Sequence, residues 1–138
     1  MPIESLNIYK QHVARSFEKA AASYDSHAQF QQEVLSYLLQ TLPSRPYAMT
    51  LDLGCGTGNA LAELATVSER LIALDLSSAM LREARKKASE VDFVCADAEA
   101  LPFADAAFEL IFSSLAIQWS ESQIGLFQQL HSALATNG

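Results

Sequence analysis

The sequence predicts an α/β fold built on a doubly wound parallel sheet. From residue 47 onwards, apolar segments of four to six residues alternate with helical segments. These short segments are apolar throughout, which is typical of strands that are buried on both faces. A glycine cluster follows the first of them, at the point where open α/β sheets bind their ligands. We therefore expect a parallel sheet with helices on both sides.

The first 46 residues predict two helices ahead of the sheet. Apolar side chains spaced three or four residues apart define the first helix: Val13, Phe17, Ala20, Ala21 and Tyr24. Ser26 is a candidate cap for the second helix. The apolar positions of that helix are Phe30, Val34, Tyr37, Leu38 and Leu42. Pro43 and Pro46 then end it, so we expect a helical region over 1–46 and a sheet domain over 47–138.

Four strands and three further helices are expected in the sheet domain. The apolar segments predict strands at 48–53, 71–74, 91–95 and 108–112. One helix is expected over 59–67, and a second runs from Ser77 or Ser78 to about Ala88. The last helix carries the apolar residues Ile124, Phe127, Leu130 and Leu134. Right-handed crossovers between the strands give the doubly wound arrangement.

Composition limits the classes of function. The chain has 138 residues, 50% of them hydrophobic, and a net charge of −7, which indicates a folded domain rather than disorder. Binding to nucleic acid needs clustered Lys and Arg, so the net acidity disfavours that partner. No apolar run approaches the roughly 18–20 residues of a membrane span, and the first residues do not resemble a signal peptide. We expect a cytoplasmic protein with no membrane partner.

The two cysteines do not predict a metal site. Cys55 and Cys95 are 40 residues apart, with no Cys-x-x-Cys motif and no His pair beside them. Metal sites need three or four ligands at short spacing. We therefore expect no metal, and two free thiols that pack as small apolar groups.

The glycine loop Asp52-Leu53-Gly54-Cys55-Gly56-Thr57-Gly58 is the most informative segment. Glycines let a ligand approach the backbone, and the start of the following helix offers unpaired N–H groups. The G-x-G-x-G spacing differs from the G-x-G-x-x-G of dinucleotide-binding loops, and no Gly-Lys-Ser/Thr of a P-loop follows. The loop therefore predicts a ligand site, but one without a pyrophosphate.

Two aspartates narrow the ligand class. Asp75 ends the second strand, 21 residues after Gly54, where a carboxylate can accept the hydroxyls of a ribose. The alternative is that Asp75 only caps the next helix. Asp52 would repel a phosphate and attract an ammonium group. These features predict a cationic cofactor that contains ribose and lacks phosphate, which describes S-adenosylmethionine.

From Leu51 to its end the chain resembles the class I S-adenosylmethionine-dependent methyltransferases, whose sheet is Rossmann-like. The matching segments are LDLGCGTGN (51–59), LDLSSAML (74–81), CADAEALPF (95–103) and IFSSLAIQW (111–119). The resemblance implies that the first segment meets the methionyl part of the cofactor through Asp52, Gly54, Cys55, Gly56 and Gly58. It further implies that Asp75 holds the ribose, Leu76 and Met80 flank the adenine, Asp97 and Ala98 meet its edge, and Ser113 lies on the methyl side.

The flanking sequence gives a finer resemblance. The pattern Phe17…AASYDSHA (21–28), together with SSLAIQW (113–119), is similar to the malonyl-acyl-carrier-protein O-methyltransferases of biotin synthesis. This resemblance implies methylation of the free carboxylate of malonyl-acyl-carrier protein, with Tyr24 in a lid over the cofactor. Methyltransferases of other small acids such as trans-aconitate share a similar Gln-Trp segment, so the acceptor stays open between these classes.

The implied chemistry needs no catalytic base. A carboxylate acceptor has a pKa near 4 and is ionised at neutral pH, so we assign no catalytic residue. Gln118 and Trp119 are candidates for the acceptor side. An acidic carrier protein would need a basic face, and two helices offer one: Lys10, Arg15 and Lys19 on the first, and Arg82, Arg85, Lys86 and Lys87 on the helix after Asp75.

The count of strands is low for the resembled fold. Four strands are expected here, whereas the resembled family has seven. We therefore expect a truncated, N-terminal part of a methyltransferase, and the alternative function is a non-catalytic fragment that only binds the cofactor. The fourth strand would then be a sheet edge with unpaired backbone groups, which predicts a homo-oligomer formed through that edge.

Overall fold

The computed structural model describes residues 8, 10–12, 14–15 and 29–138. Residues 8, 10–12 and 14–15 are helical. The helices that follow are α1 (Gln29–Thr41), α2 (Leu61–Val67), α3 (Ser78–Lys87), a 3₁₀ turn (Ile117–Trp119) and α4 (Gln123–Ala133). The strands are β1 (Tyr47–Leu53), β2 (Ser68–Asp75), β3 (Asp92–Cys95) and β4 (Leu110–Phe112). None of the helices in this described part is long and apolar enough to cross a membrane.

The four strands form one parallel sheet in the order β3-β2-β1-β4. β1 lies in the middle, paired with β2 from Tyr47↔Ser68 to Leu53↔Leu74 and with β4 at Thr50↔Leu110. β2 pairs with β3 up to Asp75↔Cys95. The chain order reverses direction beside β1, so the carboxyl ends of β1 and β4 flank the point where open α/β sheets form a crevice. The doubly wound parallel sheet is confirmed.

Alternating side chains send two hydrophobic cores to opposite faces of the sheet. On one face, Leu71 and Ala73 of β2 pack with the apolar sides of α1, α2 and α3. On the other face, Leu51 and Leu53 of β1 pack with α4 and with the loop between β3 and β4. Because β1 alternates, Asp52 points away from the α4 face, on the side where α2 and α3 lie.

Several predicted boundaries differ by one to three residues, and those of β2 and β4 have a physical reason. β2 begins at Ser68, directly after α2 ends at Val67, because no turn residue separates the helix from the strand. β4 is shorter than predicted and begins at Leu110. Phe108 pairs instead with Leu134 in an isolated parallel bridge, so the segment that follows α4 lies beside the start of β4.

The apolar faces predicted for α1 and α4 were wrong in part. Phe30 and Tyr37 of α1 are 70% and 69% exposed, and Leu35 is the buried residue of this helix. In α4, Ile124 and Phe127 are exposed while Leu126 and Ala133 are buried. Other residues of the predicted stripes do pack against the cores, namely Leu38 and Leu42 beside the first core and Leu130 beside the second. Ser26, like the other residues of 16–28, lies outside the described residues.

The cysteine prediction held for one residue. Both thiols are free, and Cys55 is buried in the core on the α2–α3 face. Cys95 is exposed, contrary to the expectation that it packs as an apolar group. Its position at the last residue of β3, the edge strand, leaves it uncovered.

Candidate functional site

A pocket opens at the carboxyl ends of the strands, where the fold predicts a ligand. The space between its walls, which includes open solvent, is about 920 Å³. Its walls come from the glycine loop, the ends of β2 and β3, the segment after β4 and the N-terminal helical segment. They include Gly54, Gly56, Asp75, Leu76, Ser77, Met80, Asp97, Ala98, Glu99, Leu115, Trp119, Lys10 and Ala14.

The glycine loop is held against the end of β2. The N–H groups of Gly54 and Cys55 both donate to the carbonyl of Leu74, at 2.8 and 3.0 Å. Gly54 has φ +72°, and a Cβ there would lie 2.3 Å from the Cβ of Ala116. Only glycine therefore allows the loop to pass this close to the segment after β4. At Gly58 a Cβ would lie 3.0 Å from the Cβ of Ala84, so this glycine lets α3 approach.

Asp75 joins the glycine loop to the start of α3. One carboxylate oxygen accepts the Gly56 N–H at 2.9 Å, and the other accepts the Ser77 N–H at 2.9 Å. Ser77 caps α3 through its own side chain, which accepts the Met80 N–H. Burial raises the pKa of Asp75, although the hydrogen bonds from Ser77, Gly56 and Leu76 oppose the rise. These three hydrogen bonds leave about one of the four lone-pair positions of the carboxylate for a ligand in the pocket.

Asp97 lies across the pocket from the loop and is bound by Lys10. The Lys10 Nζ is 2.6 Å from Asp97 Oδ2 and 2.6 Å from Glu99 Oε2. Asp97 Oδ1 accepts the N–H of Glu99 at 2.9 Å. Glu99 Oε1 accepts the N–H of Ser122 at 2.7 Å, which ties this loop to the start of α4.

Asp52 is buried beneath the glycine loop. Its side chain is 3% exposed, and Oδ2 has no hydrogen-bond partner among the described residues. Burial raises the pKa of Asp52 to about 7, and the nearby Asp75 carboxylate contributes to the rise. An unpartnered carboxylate oxygen in a buried position favours a cation close to it.

The segment after β4 forms the remaining wall. Ser113 donates its hydroxyl to the carbonyl of Leu53 at 2.8 Å, which fastens this segment to β1. Ser114, Leu115 and Ala116 then line the pocket. Leu115 has φ +54°, a strained backbone conformation for a side chain of this size. Trp119 is 46% exposed at the mouth, whereas Gln118 is outside the lining and donates to the Leu115 carbonyl.

The structure brings most of the predicted cofactor residues together. The pocket is lined by Gly54, Gly56, Asp75, Leu76, Met80, Asp97 and Ala98. Asp52, Cys55, Gly58 and Ser113 are not among the lining residues and lie behind the wall or beside it. Tyr24 lies outside the described residues.

Lys10 and Glu99 are pocket residues that the sequence did not predict. Lys10 was grouped with Arg15 as part of a basic docking face, but its ammonium is engaged by two acids inside the pocket wall. Glu99 lies two residues after Asp97 in the predicted third motif, and this spacing is the signal that could have included it. Lys10 and Asp97 are 87 positions apart, and no local pattern in the sequence indicates that they pair.

The lining fits S-adenosylmethionine. The bare backbone at Gly56 faces open space, because a Cβ there would meet nothing within 4 Å. Asp75 and Asp97 offer acceptors at two separate strand ends, and the buried, unpartnered oxygen of Asp52 lies outside the lining. No group of three metal-ligating side chains occurs in the described ranges.

Comparisons with known proteins agree with this geometry. The methyltransferase domain family matches residues 50–138. The chain is 47% identical over 138 residues to the malonyl-[acyl-carrier protein] O-methyltransferase of Marinomonas sp. (strain MWYL1), covering 94% of this chain and 50% of the relative. It is 46% identical over 131 residues to the biotin biosynthesis bifunctional protein BioHC of Cellvibrio japonicus, covering 94% and 26%.

A solved methyltransferase structure superposes on this chain. The S-adenosylmethionine dependent methyltransferase from Mesorhizobium loti superposes with a TM-score of 0.64 at 31% identity, covering 72% of this chain and 48% of that chain. The chain spans about half the length, 50%, of the Marinomonas relative. The chain therefore belongs to the methyltransferase domain family and has the Rossmann-like fold of its class I, S-adenosylmethionine-dependent members.

Proposed function

We propose that this chain supplies the cofactor pocket of an enzyme that methylates the free carboxylate of malonyl-acyl-carrier protein. One observation carries the proposal: Asp75 and Asp97 follow neighbouring strands and line a single pocket beside the backbone of Gly54 and Gly56. Two acceptors at neighbouring strand ends, with the apolar Leu76 before α3 and Met80 in its first turn, suit a nucleoside. The names of the relatives that are 46–47% identical support the choice of acceptor.

Each residue then has a distinct role toward the cofactor. Asp75 accepts the ribose hydroxyls while it holds the loop, and Leu76 and Met80 cover the faces of the base. Asp97 and the backbone of Ala98 meet the edge of the base. Asp52 attracts the ammonium group from beneath the loop.

Four further residues act around this pocket. Cys55 and Gly58 shape the loop from behind, through core packing and the close approach of α3. Ser113 holds the wall on the methyl side through its bond to the Leu53 carbonyl. We propose that Tyr24 belongs to a lid formed by residues 1–46. The pocket position of Lys10 and Ala14 supports a role of this region beside the cofactor.

Methyl transfer to a carboxylate requires alignment of the methyl group with the acceptor oxygen and does not require a proton acceptor. When bound, S-adenosylmethionine supplies an activated methyl group. The acceptor carboxylate is ionised at neutral pH because its pKa lies near 4, so no side chain needs to remove a proton. Leu115 and Trp119 add apolar surface beside the acceptor, and correct positioning of the two reactants can contribute about 7–11 kcal/mol.

An acidic carrier protein needs a basic surface on this acidic chain. Four basic residues lie on α3: Arg82, Arg85, Lys86 and Lys87. All four are exposed. Lys86 pairs with Glu83 at the surface and Lys87 donates to Asn59. We propose α3 as the side that meets the carrier, because Lys10 of the first helix is engaged within the pocket wall.

A second candidate is that the chain binds the cofactor without turnover. Among the described residues that line the pocket, Lys10 is the sole cation, and Asp97 and Glu99 hold it. The described lining therefore offers no separate cation for the carboxylate of a malonyl group or of another small acid such as trans-aconitate. This observation favours binding alone.

Calorimetric titration with S-adenosylhomocysteine tests the pocket. We expect Asp75→Asn to weaken binding at least about tenfold, since one hydrogen bond to a charged group contributes about 1.5–3 kcal/mol. The matched control is Asp105→Asn, an exposed aspartate in the loop before β4, which should bind as the wild type does. Unchanged affinity in Asp75→Asn would contradict the assignment.

A methyl-transfer assay separates the two candidates. The wild-type chain is incubated with S-adenosylmethionine and either malonyl-acyl-carrier protein or trans-aconitate, and methyl ester is measured. Methyl ester on the malonyl carrier supports the first candidate. Methyl ester on trans-aconitate alone would show that the chain is a methyltransferase whose acceptor is another small acid. Binding with no ester on either acceptor supports the second candidate.

A further inference from the structure

The contact between Lys10 and two acids joins distant parts of the chain at one end of the pocket. Lys10 lies 87 residues before Asp97, and its Nζ is 2.6 Å from one oxygen of Asp97 and one oxygen of Glu99. The Lys10 and Glu99 side chains are only 16% and 13% exposed. Solvent and salt therefore screen this ion pair less than one on the surface.

Hydrogen bonds other than those from Lys10 also hold the two acids. Asp97 Oδ1 accepts the Glu99 N–H, and Glu99 Oε1 accepts the Ser122 N–H at the start of α4. Burial raises the pKa of Glu99, but hydrogen bonds from Lys10 and Ser122 outweigh it and hold the pKa below its ordinary value. The N-terminal segment thus contacts two acids that other hydrogen bonds also hold in place.

Asp97 keeps capacity for a ligand while Lys10 is bound. A carboxylate offers about four lone-pair positions, and the described contacts of Asp97 use one on each oxygen. Lys10, Ala14, Asp97 and Glu99 all line the same pocket. A ligand group on Asp97 would therefore lie directly under the segment that Lys10 holds.

We propose that Lys10 is a positioning residue whose ammonium fastens the N-terminal helical segment across the Asp97 end of the pocket, so that closure and ligand binding reinforce each other. The inference rests on the proposed function, because the ligand is the cofactor. Without the ammonium, two neighbouring carboxylates face each other uncompensated and the segment loses its attachment. Coupling of this kind is reciprocal: the closed segment retains the ligand, and the ligand holds the segment closed.

The test compares hydrogen exchange and affinity in the full 138-residue chain with and without S-adenosylhomocysteine. In the wild type, we expect the ligand to slow exchange in a peptide spanning residues 8–15 and in the β2–α3 region. In Lys10→Met, the affinity should fall about tenfold, within the usual size of coupling between sites. Slowing by ligand should then vanish at 8–15 and persist in β2–α3.

Two matched variants separate charge from mere packing. Lys10→Arg keeps a cation that can bridge two carboxylates, so it should restore both the affinity and the protection of 8–15. Arg15→Met changes an exposed cation of the same segment and should behave as the wild type does. Thermal unfolding checks each fold, and if Lys10→Met does not fold, Glu99→Gln removes one acceptor instead and should reduce the protection of 8–15.

The outcomes separate the proposed cofactor pocket from the proposed role of Lys10. No slowing by S-adenosylhomocysteine anywhere in the wild type would overturn both the proposed cofactor pocket and the role of Lys10. Slowing in β2–α3 with unchanged behaviour of Lys10→Met would overturn the role of Lys10 alone. A Lys10→Arg variant as defective as Lys10→Met would also overturn it, because the attachment would then not depend on charge.

Discussion

Asp52 is the residue whose environment is least suited to its charge. It is 3% exposed and one carboxylate oxygen has no described partner, while Asp75 adds a second negative charge nearby. The raised pKa of about 7 means that the folded chain holds a proton that the unfolded chain, at the ordinary value of 3.8, gives up much earlier. The residue therefore costs stability in exchange for a site that attracts a cation.

We expect Asp52→Asn to be more stable than the wild type above neutral pH. The contribution of the raised pKa is fully present below pH 3.8 and is lost as the pH rises to about 7. The free energy of unfolding of the wild type should thus fall, relative to that of Asp52→Asn, by about 2–3 kcal/mol between pH 5 and pH 8. Urea denaturation at both pH values measures this difference.

The same variant should bind S-adenosylhomocysteine more weakly, because the amide has no charge to attract an ammonium. The wild-type affinity should increase as the pH rises through about 7, since the ionised form of Asp52 is the one that binds. A pH-independent difference in stability between the two proteins would contradict the buried, protonated state of Asp52.

Single residues were predictable where the sequence carried a local signal. The position of Asp75 at a strand end indicated a site, whereas Asp97 was assigned through the resemblance of segment 95–103 to the methyltransferase family. Lys10 had no such signal, because its partners are set by the tertiary approach of the N-terminal segment. Cys95 was predicted to be packed, and it is exposed because the order of strands makes β3 an edge.

At the scale of the element, the glycine loop depends on one close approach. Gly54 allows the loop to pass beside Ala116, and Gly56 faces open space although its φ is also positive, at +55°. Two glycines with similar backbone conformations therefore differ in the space around them.

This pair gives a matched test. Gly54→Ala should destabilise the fold by about 2–4 kcal/mol, from the strained φ together with the displacement of the segment after β4. Gly56→Ala carries only the strained φ and should cost about 1–2 kcal/mol. Urea denaturation of both variants checks the order, and equal losses would show that the contact with Ala116 is unimportant.

The strands were predictable because each is a short apolar segment, and all four were found. The buried faces of the helices were less predictable from the sequence. Apolar residues at helical spacing identified α1 and α4, but two stripes on each helix met the pattern and only packing selects one. Leu35 and Leu126 face the cores, while the larger Tyr37 and Phe127 remain exposed.

At the scale of the whole molecule, β4 is one of the two edge strands of the sheet, with β3 at the other side. Within the described ranges, its ladder partner is β1 alone, and the Phe108–Leu134 bridge covers only the residues before it. Unpaired backbone groups on such an edge can pair with another chain. The bridge therefore makes the exposed strand edge shorter than the sequence predicted, but β4 itself stays unpaired on that side within the described ranges.

We expect the chain to self-associate through this edge, with an average mass in light scattering that rises with concentration. Phe127→Lys is the control, because it changes the exposed apolar side of α4 and leaves the strand edge intact. A monomer that is independent of concentration would contradict the prediction. Loss of association in Phe127→Lys would assign it to α4 instead.

The order of the strands also governs how the pocket is assembled during folding. Fourteen residues lie between Leu53 and Ser68, whereas fifty-six lie between Leu53 and Leu110. Closing the longer loop costs about 1 kcal/mol more in chain entropy, so we expect β4 to join β1 after β2 does. A partly folded chain can then hold the glycine loop and Asp75 together while the wall from Ser114 to Trp119 is missing. The cofactor would recognise only the finished sheet, and its binding would report the last step of folding.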